Sequence, residues 1–92
     1  MPRAAMGDWG WEYDPDARHV IGETPNLAFV AQVEERADEL VRAAAALFLN
    51  GTAYQGRSPG LREEVLPSGM FQYLTVVRQQ RLYIVQVTPW PF

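Results

Sequence analysis

The chain has 92 residues, a formal net charge of −3, 48% hydrophobic side chains and 21% charged ones. This predicts one compact domain with a real core and excludes a disordered tail or a two-domain enzyme. With no cysteine and a single histidine, His19, a disulfide scaffold, a thiolate zinc site, a thiol nucleophile and a histidine-built metal cluster are excluded together. The longest apolar run, residues 43–49, falls far short of the roughly 20 residues of a membrane span, and no secretory signal is visible at the start. The expectation is a soluble, cytoplasmic protein without a cofactor, residues 1–8 forming a flexible lead-in and 9–92 the domain.

Residues 9–13, Trp-Gly-Trp-Glu-Tyr, alternate large aromatics with small or charged residues, the period of a strand with Trp9, Trp11 and Tyr13 on its buried face. Asp14 as N-cap and Pro15 at the first helical position then predict a short helix to about Ile21, stopped by Gly22. Thr24 and Pro25 repeat the device and open a long helix with apolar residues at Leu27, Val30, Val33, Ala37, Leu40, Val41, Ala44, Leu47 and Phe48. Its other face carries Glu34, Glu35, Asp38, Glu39 and Arg42 and reads as solvated, with Asp38 and Arg42 a weak surface pair. Asn50-Gly51 supplies a left-handed end to the helix, and 52–60 is a turn-rich loop.

Three strands follow, at about 61–66, 70–78 and 81–88, with turns at Pro67-Ser68-Gly69 and between Arg78 and Arg81, which predicts an antiparallel meander. Strict alternation places Phe71, Tyr73, Thr75, Val77, Tyr83, Val85 and Val87 under the long helix. The opposite face receives Arg62, Glu64, Gln72, Leu74, Val76, Leu82, Ile84, Gln86 and Thr88, with Glu12 from the first strand. A face that apolar calls for a cover, such as the C-terminal Trp90-Pro91-Phe92, a second copy in a homodimer, or another protein.

The eight basic residues are all arginine, four against nine acids in residues 1–53 and four against two acids in 54–92. Arginine's planar fork suits phosphate, so the C-terminal half is the part fitted to RNA or an acidic partner, while the acidic whole disfavours strong non-specific binding to polyanions.

The order strand, short helix, long helix, three-stranded meander resembles the RelE/ParE superfamily of type II toxin–antitoxin toxins. Trp11-Glu12-Tyr13-Asp14-Pro15-Asp16-Ala17 is similar to that family's aromatic-x-x-Pro-x-Ala opening, and the stretches 61–66, 71–77 and 81–87 to its strand–turn–strand ending. The resemblance implies an α+β fold in which a short and a long helix pack on one face of an antiparallel sheet of about four strands. It also implies a toxin that cleaves mRNA, in many cases on the ribosome, or in one branch inhibits gyrase, with an antitoxin-like protein as partner. Gln72 stands where the ribonuclease branch commonly has an arginine, and Thr88-Pro89-Trp90 where it often has a histidine or tyrosine.

Metal-independent RNA cleavage needs a base for the 2′-hydroxyl proton, a cation at the phosphate and an acid for the leaving oxygen. Glu64 or Glu12 is the candidate base, Arg62 the phosphate ligand and His19 the acid, with Arg78, Arg81, Gln72 and Gln86 as RNA contacts. The competing expectation is a non-catalytic protein-binding module. For each group there is also a plain structural use: Arg62, Glu63 and Glu64 as a charged strand edge that discourages aggregation, and His19 as a surface histidine.

Overall fold

The structure, a computed structural model, describes residues 8–22 and 26–91. The elements run β1 (Gly10–Tyr13), α1 (Ala17–Val20), α2 (Leu27–Leu47), β2 (Arg62–Leu66), β3 (Gly69–Val76) and β4 (Arg81–Pro89), with short 3-10 turns at Gly51–Ala53 and Val77–Gln79. The architecture is the expected α+β one, a long and a short helix packed with a four-stranded sheet. The sheet order is β1-β4-β3-β2. Both hairpins of the meander are antiparallel, but β1 joins β4 in parallel, so the sheet is mixed rather than all antiparallel. Short turns dictate the hairpin pairings, whereas the direction of β1 depends on where the two intervening helices return the chain. No helix among the described residues is long and apolar enough to cross a membrane.

The helix starts differ from expectation. Asp16, not Asp14, caps α1, its Oδ1 accepting from the His19 N–H at 2.9 Å. Gly22 follows the helix in a left-handed conformation, as expected of a stop. Asn26 caps α2 by accepting from the Phe29 N–H at 3.0 Å; the expected Thr24-Pro25 start lies outside the described residues, as do residues 1–7. The end of α2 differs as well. It closes at Phe48 without a left-handed residue, and Gly51 serves close packing instead, since a Cβ there would lie 2.9 Å from the Val77 carbonyl oxygen.

The buried stripe of α2 is Phe29, Val33, Ala37, Val41 and Ala44. Phe29, absent from the expected stripe, is fully buried, while Leu27 and Leu47 are exposed. The reason is tertiary: the Phe29 ring lies over the β2–β3 turn, so close to Gly69 that a Cβ there would meet it at 2.6 Å. Only glycine permits that approach. Gln32 completes the clamp, its amide exchanging hydrogen bonds with the Ser68 hydroxyl and backbone N–H.

The acidic face of α2 is not simply solvated. The Trp11 indole N–H donates to Asp38 at 2.9 Å and the Tyr13 hydroxyl to Glu34 at 2.9 Å. Residues two apart on β1 thus meet residues four apart on α2, because both spacings keep side chains on one face. Burial and the Glu34 carboxylate together push the Tyr13 phenol well above its ordinary range. At the opposite sheet edge Arg36 pairs with both Glu39 and Glu64.

Candidate functional site

The faces of β4 depend on one irregularity. Phe71 pairs with Val87 and Gln72 with Gln86, but Tyr73 pairs with Ile84, which leaves Val85 as an extra residue. The bulge reverses the parity of everything before it in β4. Val87 stays under the helix as expected, whereas Leu82 and Ile84, expected on the open face, are buried in the core. Tyr83, expected in the core, stands on the open face beside Leu74. Strict alternation carried across a bulge gives the wrong face on one side of it.

The expected catalytic residues fall into three separate places. Arg62 and Glu64 pair in register with Tyr73 and Phe71 and so lie on the helix side of the β2 edge, not on the open face. Glu64 is taken up by Arg36. Glu12 is exposed on β1, at the other edge of the sheet and on the other face. His19 is exposed on α1, its Nδ1 2.8 Å from Asp16 Oδ1, and that partnership holds the Asp16 carboxyl below its usual range. Among the expected RNA contacts, Gln72 and Gln86 stand opposite each other across β3 and β4 on the open face. The Gln72 amide also reaches Glu63. Arg78 is exposed in the β3–β4 turn.

What the fold does bring together is Glu12, Arg81 and Tyr83. Glu12 is the register partner of Tyr83 across the parallel β1–β4 pair, and Gly10 that of Arg81. Arg81 Nε lies 3.6 Å from Glu12 Oε2. Its Nη1 donates to the carbonyls of Asp8 at 2.6 Å and Gln80 at 3.1 Å, which pins the guanidinium beside the carboxylate. The Tyr83 hydroxyl donates to Gln79 Oε1 at 2.6 Å. The result is a carboxylate, an arginine and a phenol on one open sheet face, next to the Gln72–Gln86 pair and a half-buried apolar strip of Met70, Leu74 and Val76. Tyr83 is the functional candidate that sequence reasoning missed. The signal that would have found it is the apolar set Leu82, Ile84 and Val87, whose spacing of two and then three requires a bulge between its last two members.

No protein-family model matches the chain, and no curated protein or solved structure is a significant match.

Proposed function

We propose that this chain is a RelE/ParE-like toxin that cleaves RNA without a metal, using the open face of its sheet, with Glu12, Arg81 and Tyr83 as the reacting groups. The observation that carries the reading is the juxtaposition of carboxylate, guanidinium and phenol across the β1–β4 pair. Glu12 takes the proton from a ribose 2′-hydroxyl, and the oxygen attacks the adjacent phosphorus. Arg81 neutralises charge on the non-bridging oxygens, and Tyr83 gives its proton to the departing 5′-oxygen, leaving a 2′,3′-cyclic phosphate and a 5′-hydroxyl. Gln72 and Gln86 offer amides to base edges, and the Tyr83 ring gives a base a surface to stack on.

The test is a labelled RNA incubated with the protein in excess EDTA. Cleavage by the unaltered chain should fall by about 100-fold or more in Glu12→Gln and in Tyr83→Phe, the usual scale of a lost general acid or base. The Arg62→Ala/Glu64→Gln double variant should still cleave. The reverse pattern moves the chemistry to the β2 edge.

A second reading, a binding module that pairs with an antitoxin-like protein or with itself, draws on the half-buried strip of Met70, Leu74 and Val76 on the same face. It predicts no cleavage by any variant and a stable complex that Leu74→Glu dissolves.

A further inference from the structure

β2 is an edge of the sheet, with β3 on one side of it. On its other side no described residue bonds to its backbone, so a row of N–H and C=O groups faces outward. Such an edge is normally blunted by a bulge, a proline or a run of like charge. β2 has none of these. Its register with β3 runs unbroken from Arg62 to Leu66, Pro59 and Pro67 lie outside the strand, and its charges are of both signs. The opposite edge, β1, is one residue shorter and runs into Asp14-Pro15.

Two large apolar side chains are left in water at the β2 edge. Leu61, immediately before the strand, is 54% exposed and Val65 67%. Val65 and Glu63 lie on the open face, Arg62 and Glu64 on the helix side. Arg62 is exposed and makes no ion pair among the described residues, while Glu64 gives one carboxylate oxygen to Arg36.

We infer that β2 pairs antiparallel with β2 of a second copy of this chain, about a twofold axis that passes through Glu63. The occupant follows from self-complementarity. With Glu63 at the axis, Leu61 lies opposite Val65 of the second copy and Arg62 opposite its Glu64, and each match occurs twice. Pro59 and Pro67 then lie opposite each other and end the ladder on both sides, since neither has an N–H to give it. Other registers fail. An axis at Glu64 sets that residue against itself and Glu63 against Val65; an axis at Arg62 sets two arginines together and Leu61 against Glu63. Axes between residues set Glu63 against Glu64, or Leu61 against Glu64. The Glu63 register therefore matches apolar with apolar and opposite charge with opposite charge. Its one cost is Glu63 against its own copy, where each carboxylate keeps the Gln72 amide 3.3 Å away.

The product is a continuous sheet of twice the four strands, with both long helices on one side and both open faces joined on the other. Val65 stands beside Met70, so Leu61 of the second copy lengthens the apolar strip of the open face. The pairing uses a strand edge rather than that face, and it holds whether or not the face cleaves RNA.

Sedimentation equilibrium of the full chain from about 1 μM to 1 mM, with amide exchange followed by NMR, tests it. A contact of this length is small beside the roughly 1,600 Å² of a standard interface, so the dimer should be reversible, with a Kd of about 10–100 μM. Amides of β2 should gain protection as the concentration rises. Arg62→Glu makes both cross pairs repulsive and should weaken the dimer about tenfold or more, whereas Glu63→Gln removes the like-charge contact and should tighten it severalfold. Both positions are exposed, and melting curves should show both variants folded. Leu74→Glu, which breaks a pair formed through the open face, should leave this dimer intact. A strict monomer at about 1 mM, a dimer indifferent to Arg62→Glu, or one dissolved by Leu74→Glu overturns the inference.

Discussion

On the helix side of the sheet Phe71 and Ile84 are fully buried and Leu82 nearly so, while on the other side Met70, Leu74, Val76 and Tyr83 are half-buried. The same two strands build both faces, residue by residue in alternation, so propensity does not distinguish them. The difference comes from what lies above. On one side α2 brings Phe29, Val33, Ala37 and Val41 into contact with the strands, and each removal of apolar surface from water adds to stability. On the other side no described helix packs on the strip, and its polar members Glu12, Arg81, Gln72 and Gln86 are exposed or partly exposed. Stability is concentrated on the first face, and the second carries the groups of the proposed site.

A matched pair of truncations should expose that contrast most strongly. Phe71→Ala removes a fully buried ring and should cost about 3–5 kcal/mol, a large share of the stability of a domain this size. Leu74→Ala, three residues along the same strand but on the open face, should cost about 1 kcal/mol or less. Chemical denaturation of both variants checks this, and equal losses would mean that the open face is as tightly packed as the core.

The join between β1 and α2 gives a smaller, pH-dependent effect. Tyr13 has its phenol raised above the ordinary value of 10.0 by burial and by Glu34. A raised pKa means the folded state holds its proton where the unfolded state has lost it, so this contribution is complete below about pH 10 and fades as pH rises beyond it. Melting temperature should therefore fall on the alkaline side, and Tyr13→Phe should flatten that limb at a cost of about 1 kcal/mol near neutral pH. A phenolate titration at 295 nm that shows every tyrosine ionising normally in the folded protein would contradict it.

The smallest effect should come from a deletion. Without Val85 the β4 alternation becomes continuous: Ile84 in, Gln86 out, Val87 in. The shortened chain should fold, with a stability change of about 1 kcal/mol or less. Loss of the cooperative transition would show that Val85 does more than supply the extra residue of the bulge.

Much of the fold is legible in the amino-acid sequence. The hairpin turns, the long helix and the inward aromatics of β1 are written in local signals: Pro-Ser-Gly between strands, an apolar period of 3.6, and alternation of Trp and Tyr with small or charged residues. The site was less legible. The spacing of Arg62 and Glu64 puts them on one face, but which face depends on the partners of β2. Glu12 lies beside Arg81 and Tyr83, which the sequence presents separately, as an RNA contact and a core residue. Two facts without local signatures assembled them, the parallel pairing of β1 with β4 and the sheet order that separates the β1 and β2 edges, together with the bulge at Val85, whose trace in the sequence is the spacing of Leu82, Ile84 and Val87.

By itself the amino-acid sequence determined the α+β class, the order of the elements, the two hairpins and a core centred on α2, because capping, turn chemistry and hydrophobic period act between residues close along the chain. The tertiary structure alone decided that Phe29 belongs to the core, that Glu34 and Asp38 receive Tyr13 and Trp11, and that Tyr83 stands beside Glu12. Those contacts join residues far apart in the chain, and their geometry is set by whichever packing buries the most apolar surface while leaving the fewest polar groups unpaired.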